Sequence, residues 1–575
     1  MGTSGARKGY KIFSINTTIR NPKRNYDFLQ SFKSFDGQIM NDINLYKYFF
    51  ELVKNGIYKF SNIPESVKIK LDQDIQLSDF EVYTAIKDNP QATGLSGRAM
   101  TQLRALKDLG LLLFEESDQK EKYKISITKL GNELLKNPEN APNIYAKIMI
   151  WLQANNPCRT NLLNQSRPFL NTIFVINEVN KRWKELGNEP KGILQHEFSV
   201  FVLSMKDCDY KKCAIEIIKY RNKFRYEINN NYLLEYLKNN DILPLSLSSI
   251  LKDYPDEVFR KFEMTCLIVK HGAFNYIYYN FSNYNLEKIQ TILKNFINYS
   301  FIQFSSQTEY YDFQNNVTLP WEKDELIRRK IVEAKAKVLN IKINNCLTLD
   351  EQEETLDRIF YNKSLSKAID RYDFNLISKE LLILSGSIKC KSKFEDISEP
   401  LRLEYLLALA IGKKYGAKGL ISNIIYNEEG LPLHCAPSSK SDIIYHDKEG
   451  SYILEPTMQR GRNQQLNSET TNIIRHVKDE ERKTSLVYRV MMIAPVIHAD
   501  VVDYFSYIAN KEKAKIATLT IERIVGLFFD NSSIIKLNDS FDKIVETLKE
   551  RPISEFTDLI NKYRFPLSKI EEAIN

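Results

Sequence analysis

The stretch from Ser441 to Glu455 leaves the backbone little choice. Ser441-Asp442-Ile443-Ile444-Tyr445-His446 and Ser451-Tyr452-Ile453-Leu454-Glu455 are rich in β-branched and aromatic residues, and Asp447-Lys448-Glu449-Gly450 between them carries turn chemistry. This predicts a β-hairpin with its turn centred between Lys448 and Glu449. The register that pairs Asp447 with Gly450 also sets Asp442 opposite Glu455. Directly opposed positions hold their Cβ atoms roughly 4.5–5.5 Å apart. That is close enough for one hard divalent cation to take an oxygen from each carboxylate at about 2.0–2.1 Å. A solvated hairpin whose polar residues face water carries the same local signature, so the surrounding residues have to decide.

Directly after the second strand the chain reads Pro456-Thr457-Met458-Gln459-Arg460-Gly461-Arg462-Asn463-Gln464-Gln465, and upstream a predicted helix carries Glu404. Downstream, Glu469 and His476 lie two turns apart on a segment, 468 to 480, that can be helical, which sets them on one face. An acidic helix residue, an acidic strand end and then E-x-T on the next strand follow the layout of a PD-(D/E)xK nuclease core.

The order Glu404, Asp442, Glu455 with Thr457, Gln464 and Gln465, Glu469 and His476, then the hydrophobic strand 487–495, resembles the catalytic domain of the AlwI family of type IIS restriction endonucleases, relatives of strand-nicking enzymes. The opening Thr17-Thr18-Ile19-Arg20-Asn21-Pro22-Lys23-Arg24 resembles the start of that family's recognition region. The resemblance implies catalytic roles for Asp442, Glu455, Glu404, Glu469 and His476, with Mg²⁺ held by Asp442, Glu455, the Pro456 carbonyl and Glu404. Most PD-(D/E)xK enzymes carry a lysine two residues after the glutamate, where this chain has Thr457, as the AlwI-like group does. Gln464, Gln465 and His476 are then the candidates to orient the attacking water.

With 575 residues the chain is too long for one core, and length alone suggests about four domains. A hydrophobic fraction of 43% and a charged fraction of 27% are those of a globular protein rather than a disordered one. The net charge of +8 permits an anionic partner such as double-stranded DNA without demanding one. No run of eighteen apolar residues and no signal peptide is found, so no membrane association and a cytoplasmic location are expected. The 7 cysteines include no CxxC pair, which argues for a reducing compartment and against a zinc site or disulfide framework. His434-Cys435 is an adjacent soft-ligand pair, too few ligands for zinc.

The expected fold is multidomain α+β. Residues 1–150 form a winged-helix DNA-recognition subdomain. Its helix starts near Ser96 and repeats Met100, Leu103, Leu106 and Leu109 before stopping at Gly110; strands 111–115 and 122–127 follow, and Thr128 caps the next helix. Such a helix offers Arg98, Gln102 and Arg104 to DNA, beside Arg20, Lys23 and Arg24 from the N-terminal segment; winged helices also serve as protein-interaction modules. Residues 151–320 form a second, mainly helical recognition subdomain. There Lys211, Lys212, Lys219, Arg221, Lys223 and Arg225 lie around a helix from 210 to 226, either as a phosphate-contacting face or as a solvated surface, and 262–270 reads as helix. Residues 321–385 form a helical linker and 386–575 the α/β PD-(D/E)xK catalytic domain, with helices at its end over 540–549 and 555–563.

These readings predict a sequence-specific, Mg²⁺-dependent type IIS DNA endonuclease cutting at a fixed distance from its site. Its partners would be a cognate DNA methyltransferase and, through the catalytic domain, a transient second copy or a small partner subunit. The alternatives are a strand-specific nickase or large subunit of a heterodimeric restriction enzyme, a structure-recognising repair nuclease, and a winged-helix regulator with a degenerate nuclease domain.

Overall fold

The computed structural model describes residues 8–15, 21–55, 57, 63–72, 75, 77–87, 94–116, 122–242, 246–272, 276–434, 440–466, 470–484, 486–511, 514–550 and 569. It is a mixed α+β protein of two compact units, one comprising Met1–Asn25, Asp36–Gln38 and Met100–Asp357, the other Tyr26–Phe35, Ile39–Ala99 and Arg358–Asn575.

In the first unit, Gly110 adopts φ +72, a left-handed conformation that glycine takes without steric cost. It ends the helix Leu95–Asp108, and the antiparallel strands Leu112–Glu116 and Tyr123–Ile127 follow. Thr128 caps the helix Lys129–Lys136 by accepting from the Gly131 amide at 3.1 Å while donating to the Gly110 carbonyl at 2.7 Å. Local turn chemistry thus fixes this stretch as the sequence suggests.

Further along, the helix Pro168–Glu185 packs on the helix Tyr210–Phe224. A three-stranded sheet joins Ile193–Leu194, Tyr278–Phe281 and Ile268–His271 in that order. The segment 262–270 is not the expected helix. The helix Tyr254–Glu263 ends, Thr265 Oγ donates to the Phe262 carbonyl at 2.7 Å and accepts from the Leu267 amide at 3.2 Å, Cys266 turns at φ +56, and a strand begins at Ile268. The β-branched pair Ile268-Val269 is recruited by sheet pairing over the local helical period. The expected helical character of 321–385 is found in Pro320–Lys323, Glu325–Leu339, Leu349–Arg371 and Phe374–Ser385.

The second unit is organised by a five-stranded mixed sheet. Its spatial order is Lys515–Thr520, Arg489–Ala494, Gly450–Pro456, Ile443–Asp447, Leu420–Ser422. The last two pairings are antiparallel and the first two parallel. The helices Phe374–Ser385, Glu399–Tyr415, Thr470–Thr484, Ala499–Lys511, Ile521–Asp530 and Ile534–Glu550 belong to the same unit. Residues Ser451 to Pro456 are all buried, as expected of a central strand covered on both faces. The helix expected at 540–549 lies within Ile534–Glu550; the one expected at 555–563 lies outside the described residues.

Candidate active site

The hairpin forms in the register its turn dictates. Asp447 faces Gly450, Tyr445 faces Tyr452 and Ile443 faces Leu454. Asp442 lies one step beyond the last paired position, in a bend, and its backbone amide hydrogen-bonds the Glu455 carboxylate. The Glu449 amide donates to Asp447 Oδ1 at 3.1 Å, which closes the turn. Tyr445 anchors one strand by donating to the Tyr415 carbonyl at 2.7 Å, and the Asn423 amide donates to the Asp442 carbonyl at 3.1 Å. On its other edge the Glu455 strand runs parallel to Arg489–Ala494, with Glu455 facing Met492. Glu455 is therefore held by backbone pairing on this edge, while its neighbour Leu454 pairs with Ile443 on the other.

This carboxylate is 5% exposed. Burial raises its pKa above the ordinary glutamate value; the nearby His476, the Ser441 side chain and the Asp442 backbone amide act in the opposite direction. His476, on the helix Thr470–Thr484, places Nδ1 3.3 Å from Glu455 Oε1 and is itself buried. Asp442 is half-buried. Glu404 is buried on the helix Glu399–Tyr415, where its charge helps hold the Tyr426 phenol protonated after desolvation and against the Ser422 hydroxyl.

The fit to a metal ion rests on this pair. Asp442 and Glu455, brought near each other where the hairpin ends and one of them removed from water, offer oxygen donors of the kind Mg²⁺ takes. Among the described residues no three His, Cys, Asp or Glu side chains gather into a set able to hold a metal ion, so Glu404 does not complete such a set with Asp442 and Glu455. Glu469 lies outside the described residues, as does Cys435.

Thr457 continues the sheet, donating its amide to the Ile493 carbonyl at 2.8 Å, and its hydroxyl accepts from the Gln459 amide at 3.1 Å. Gln465 is fully buried, and its amide nitrogen donates to the Gln459 and Val496 carbonyls, both at 2.8 Å. It therefore pins the chain that leaves the Glu455 strand. Gln464 is half-buried and directs Nε2 to Asn55 Oδ1 at 3.5 Å. Neither Ser441 nor Asn423 was singled out by sequence reasoning: Ser441 reads as the first residue of a strand segment, and a lone asparagine such as Asn423 carries no pattern.

The residues expected to meet DNA differ in exposure. Arg98 and Arg104 are exposed on the helix Leu95–Asp108, but Gln102 on the same helix is only 2% exposed. It cannot reach a base edge because it lies on the apolar face, beside Leu103 and Leu106. Lys23 and Arg24 are half-buried on the one-turn helix Pro22–Arg24, and Arg20 lies outside the described residues. Of the basic cluster on the helix Tyr210–Phe224, Lys211, Lys212, Lys219 and Lys223 are exposed. Arg221 is instead buried in an ion pair with Glu197, with Nη2 to Oε2 at 2.6 Å.

The family model of the AlwI restriction endonucleases matches residues 107–527. No curated protein matches. Similar solved structures include the following two. The small subunit R.BspD6I2 of the heterodimeric restriction endonuclease R.BspD6I has 18% identity and a TM-score of 0.26, covering 34% of this chain and 98% of that one. Restriction endonuclease FokI has 10% identity and a TM-score of 0.24, covering 93% of this chain and 99% of that one. No helix among the described residues is long and apolar enough to cross a membrane.

Proposed function

The chain belongs to the AlwI restriction endonuclease family and is accordingly a site-specific deoxyribonuclease, and from that premise we propose a Mg²⁺-dependent enzyme of type IIS that hydrolyses DNA at a fixed distance from its recognition sequence. The observation that carries this reading is the hairpin register, which pairs Ile443 with Leu454 and so brings Asp442 next to the buried Glu455, whose carboxylate accepts from the Asp442 backbone amide. Their oxygens and the Pro456 carbonyl would hold the ion. When bound, the cation polarises the scissile phosphate and lowers the pKa of a water molecule.

The chain's own residues supply the rest. His476 fixes the orientation of the Glu455 carboxylate through their hydrogen bond, a second-layer contact of the kind that tunes a metal ligand, and is placed to handle a proton. Thr457, standing where most PD-(D/E)xK enzymes carry lysine, has no ammonium to offer the water. Glu404 and Glu469 act as auxiliary acids. Gln465 is committed to the backbone, which leaves Gln464 and His476 as the groups to orient the nucleophile.

In this reading 386–575 is the PD-(D/E)xK domain, 321–385 its helical connection, and 1–150 and 151–320 the recognition subdomains, the first of winged-helix type. Arg20, Lys23, Arg24, Arg98 and Arg104 contact the duplex. One such centre cuts one strand at a time, so a double-strand break calls for a second copy or a partner subunit. A cytoplasmic restriction system with its own methyltransferase is the natural setting. The test is digestion of a long DNA of known sequence with Mg²⁺, mapping both strand ends. Ends at one offset from one sequence support the reading, whereas random ends or no Mg²⁺ requirement contradict it.

A further inference from the structure

The first unit contains a polar cavity of about 430 Å³ lined by Lys11, Ser14, Asp108, Arg159, Thr160 and Asn161 among others. A second recess of about 390 Å³ shares Thr160 and is lined by amides and hydroxyls, including Asn155, Asn156, Gln303, Ser305 and Gln307, with no charged side chain. The loop 155–162 contributes to both. That loop is built rather than loose. The Ala154 amide donates to the Ser166 carbonyl at 3.0 Å, the Asn155 amide to Asn164 at 3.2 Å and the Arg159 amide to Asn156 at 2.8 Å, while the Cys158 amide is held by Asn156 Oδ1 at 2.9 Å.

Arg159 is fixed in place. Its Nη2 donates to the Ser14 carbonyl, and its guanidinium carbon sits 5.2 Å from the centre of the Phe13 ring. Its buried Nη1 makes no hydrogen bond among the described residues. The side chain as a whole is half-buried, but a donor atom shielded from water and left unused is costly unless an acceptor meets it, and an anionic one answers the charge as well. The Lys11 side chain lines the same cavity, and Asp108 is the one carboxylate in its wall. Two cations against one carboxylate leave an excess of one positive charge. That matches a phosphodiester, which carries one negative charge, better than a free phosphate dianion. Amides and hydroxyls in the adjoining recess are the groups that meet sugar and phosphate oxygens in protein–DNA contacts.

We propose that the loop 155–162 and its two recesses form a contact surface for the DNA sugar-phosphate backbone, with one phosphodiester drawn between Lys11 and Arg159. The proposal rests on the reading of the chain as a DNA-cutting enzyme and adds a positioning site outside the winged-helix arginines. It carries no base specificity of its own.

The test measures binding of the full chain to cognate and non-cognate duplexes over a range of salt, for the wild type, Lys11→Gln, Arg159→Gln and Asp108→Asn. Losing one phosphate contact should reduce the slope of log affinity against log salt by about 0.9, and Lys11→Gln and Arg159→Gln should each weaken both duplexes alike. Asp108→Asn should tighten binding. Arg159→Gln also removes the bond to Ser14, so the decisive variant is Lys11→Gln: if it is folded and its slope equals that of the wild type, the proposal is wrong. Calorimetric titration with inorganic phosphate separates the sources. Phosphate binding that Lys11→Gln abolishes, with an unchanged DNA slope, would assign the cavity to a small anion and overturn the DNA contact. A wild-type chain that binds no duplex at all would overturn the enzyme reading beneath it.

Discussion

Two buried glutamates, one in each unit, meet opposite electrostatic fates. Glu197 receives Arg221 Nε at 2.8 Å and Nη2 at 2.6 Å together with the Leu194 amide at 2.8 Å. The guanidinium also donates to the Gly192 carbonyl at 2.7 Å and lies over the Trp183 ring. This is a closed, bidentate arrangement in which each charge is answered in place. Glu455 has a histidine at 3.3 Å, the Ser441 side chain and the Asp442 backbone amide as partners, and burial still drives its pKa upward. A fold that needed only stability would not build the second arrangement without a counter-charge. On the function proposed above, the difference separates an ion pair that holds the fold from a buried carboxylate available to a cation.

That contrast can be broken most decisively at the hairpin. Asp442→Ala and Glu455→Ala should each lower Mg²⁺-dependent cleavage by more than about 100-fold, beyond the range expected for groups that merely support a metal ligand, with DNA affinity nearly unchanged in gel shifts. Appreciable cutting by either variant would remove the site assignment. At the other glutamate, Arg221→Met leaves Glu197 buried without its partner and should cost about 3–5 kcal/mol. Chemical denaturation would show this, whereas cleavage per folded molecule should persist. If Arg221→Met instead keeps full stability and loses cutting, the two glutamates have been assigned the wrong way round.

His476→Ala sharpens the comparison by testing support rather than ligation. It should reduce cleavage by about 10–100-fold, with partial recovery in His476→Asn if orientation of Glu455 is the role; equal rates in wild type and both variants would exclude it. Asp108, in the first unit, falls between the two glutamates. Burial raises its carboxyl to about 6, opposed by the charges of Arg159, Lys107 and Lys261, while Glu257 adds to the rise. Because the folded pKa exceeds the unfolded one, the protonated form is favoured by folding. The stability it contributes is present below pH 3.8 and is lost as pH rises to about 6. Asp108→Asn should remove that loss, a gain of about 1 kcal/mol above pH 6 once solvent around this half-buried group is allowed for. Unfolding curves at pH 5 and 7.5 that move in parallel for both proteins would contradict it.

The hairpin was legible in the sequence because strand alternation and turn chemistry act over a few residues, and pairing follows from the turn. What surrounds Glu455 was less so. The parallel neighbour at Met492 and the approach of His476 arise from connections tens of residues long. Two misread residues carried a usable signal. Cys213, Ile217 and Arg221 recur at four-residue steps, and Leu95, Ala99, Gln102 and Leu106 follow a three-and-four pattern, so periodicity set both polar residues on buried faces. The strand at Ile268-Val269 is a different matter, since its pairing with Tyr278–Phe281 fixes it and no local pattern does.

The central claim, that Asp442 and Glu455 together hold a divalent cation, is tested most directly by counting bound Mn²⁺ with electron paramagnetic resonance on the full chain in the presence of cognate duplex. The account predicts Mn²⁺ bound by the wild type and lost from both Asp442→Ala and Glu455→Ala while DNA remains bound. Equal Mn²⁺ occupancy in the wild type and in folded, DNA-bound variants would contradict it.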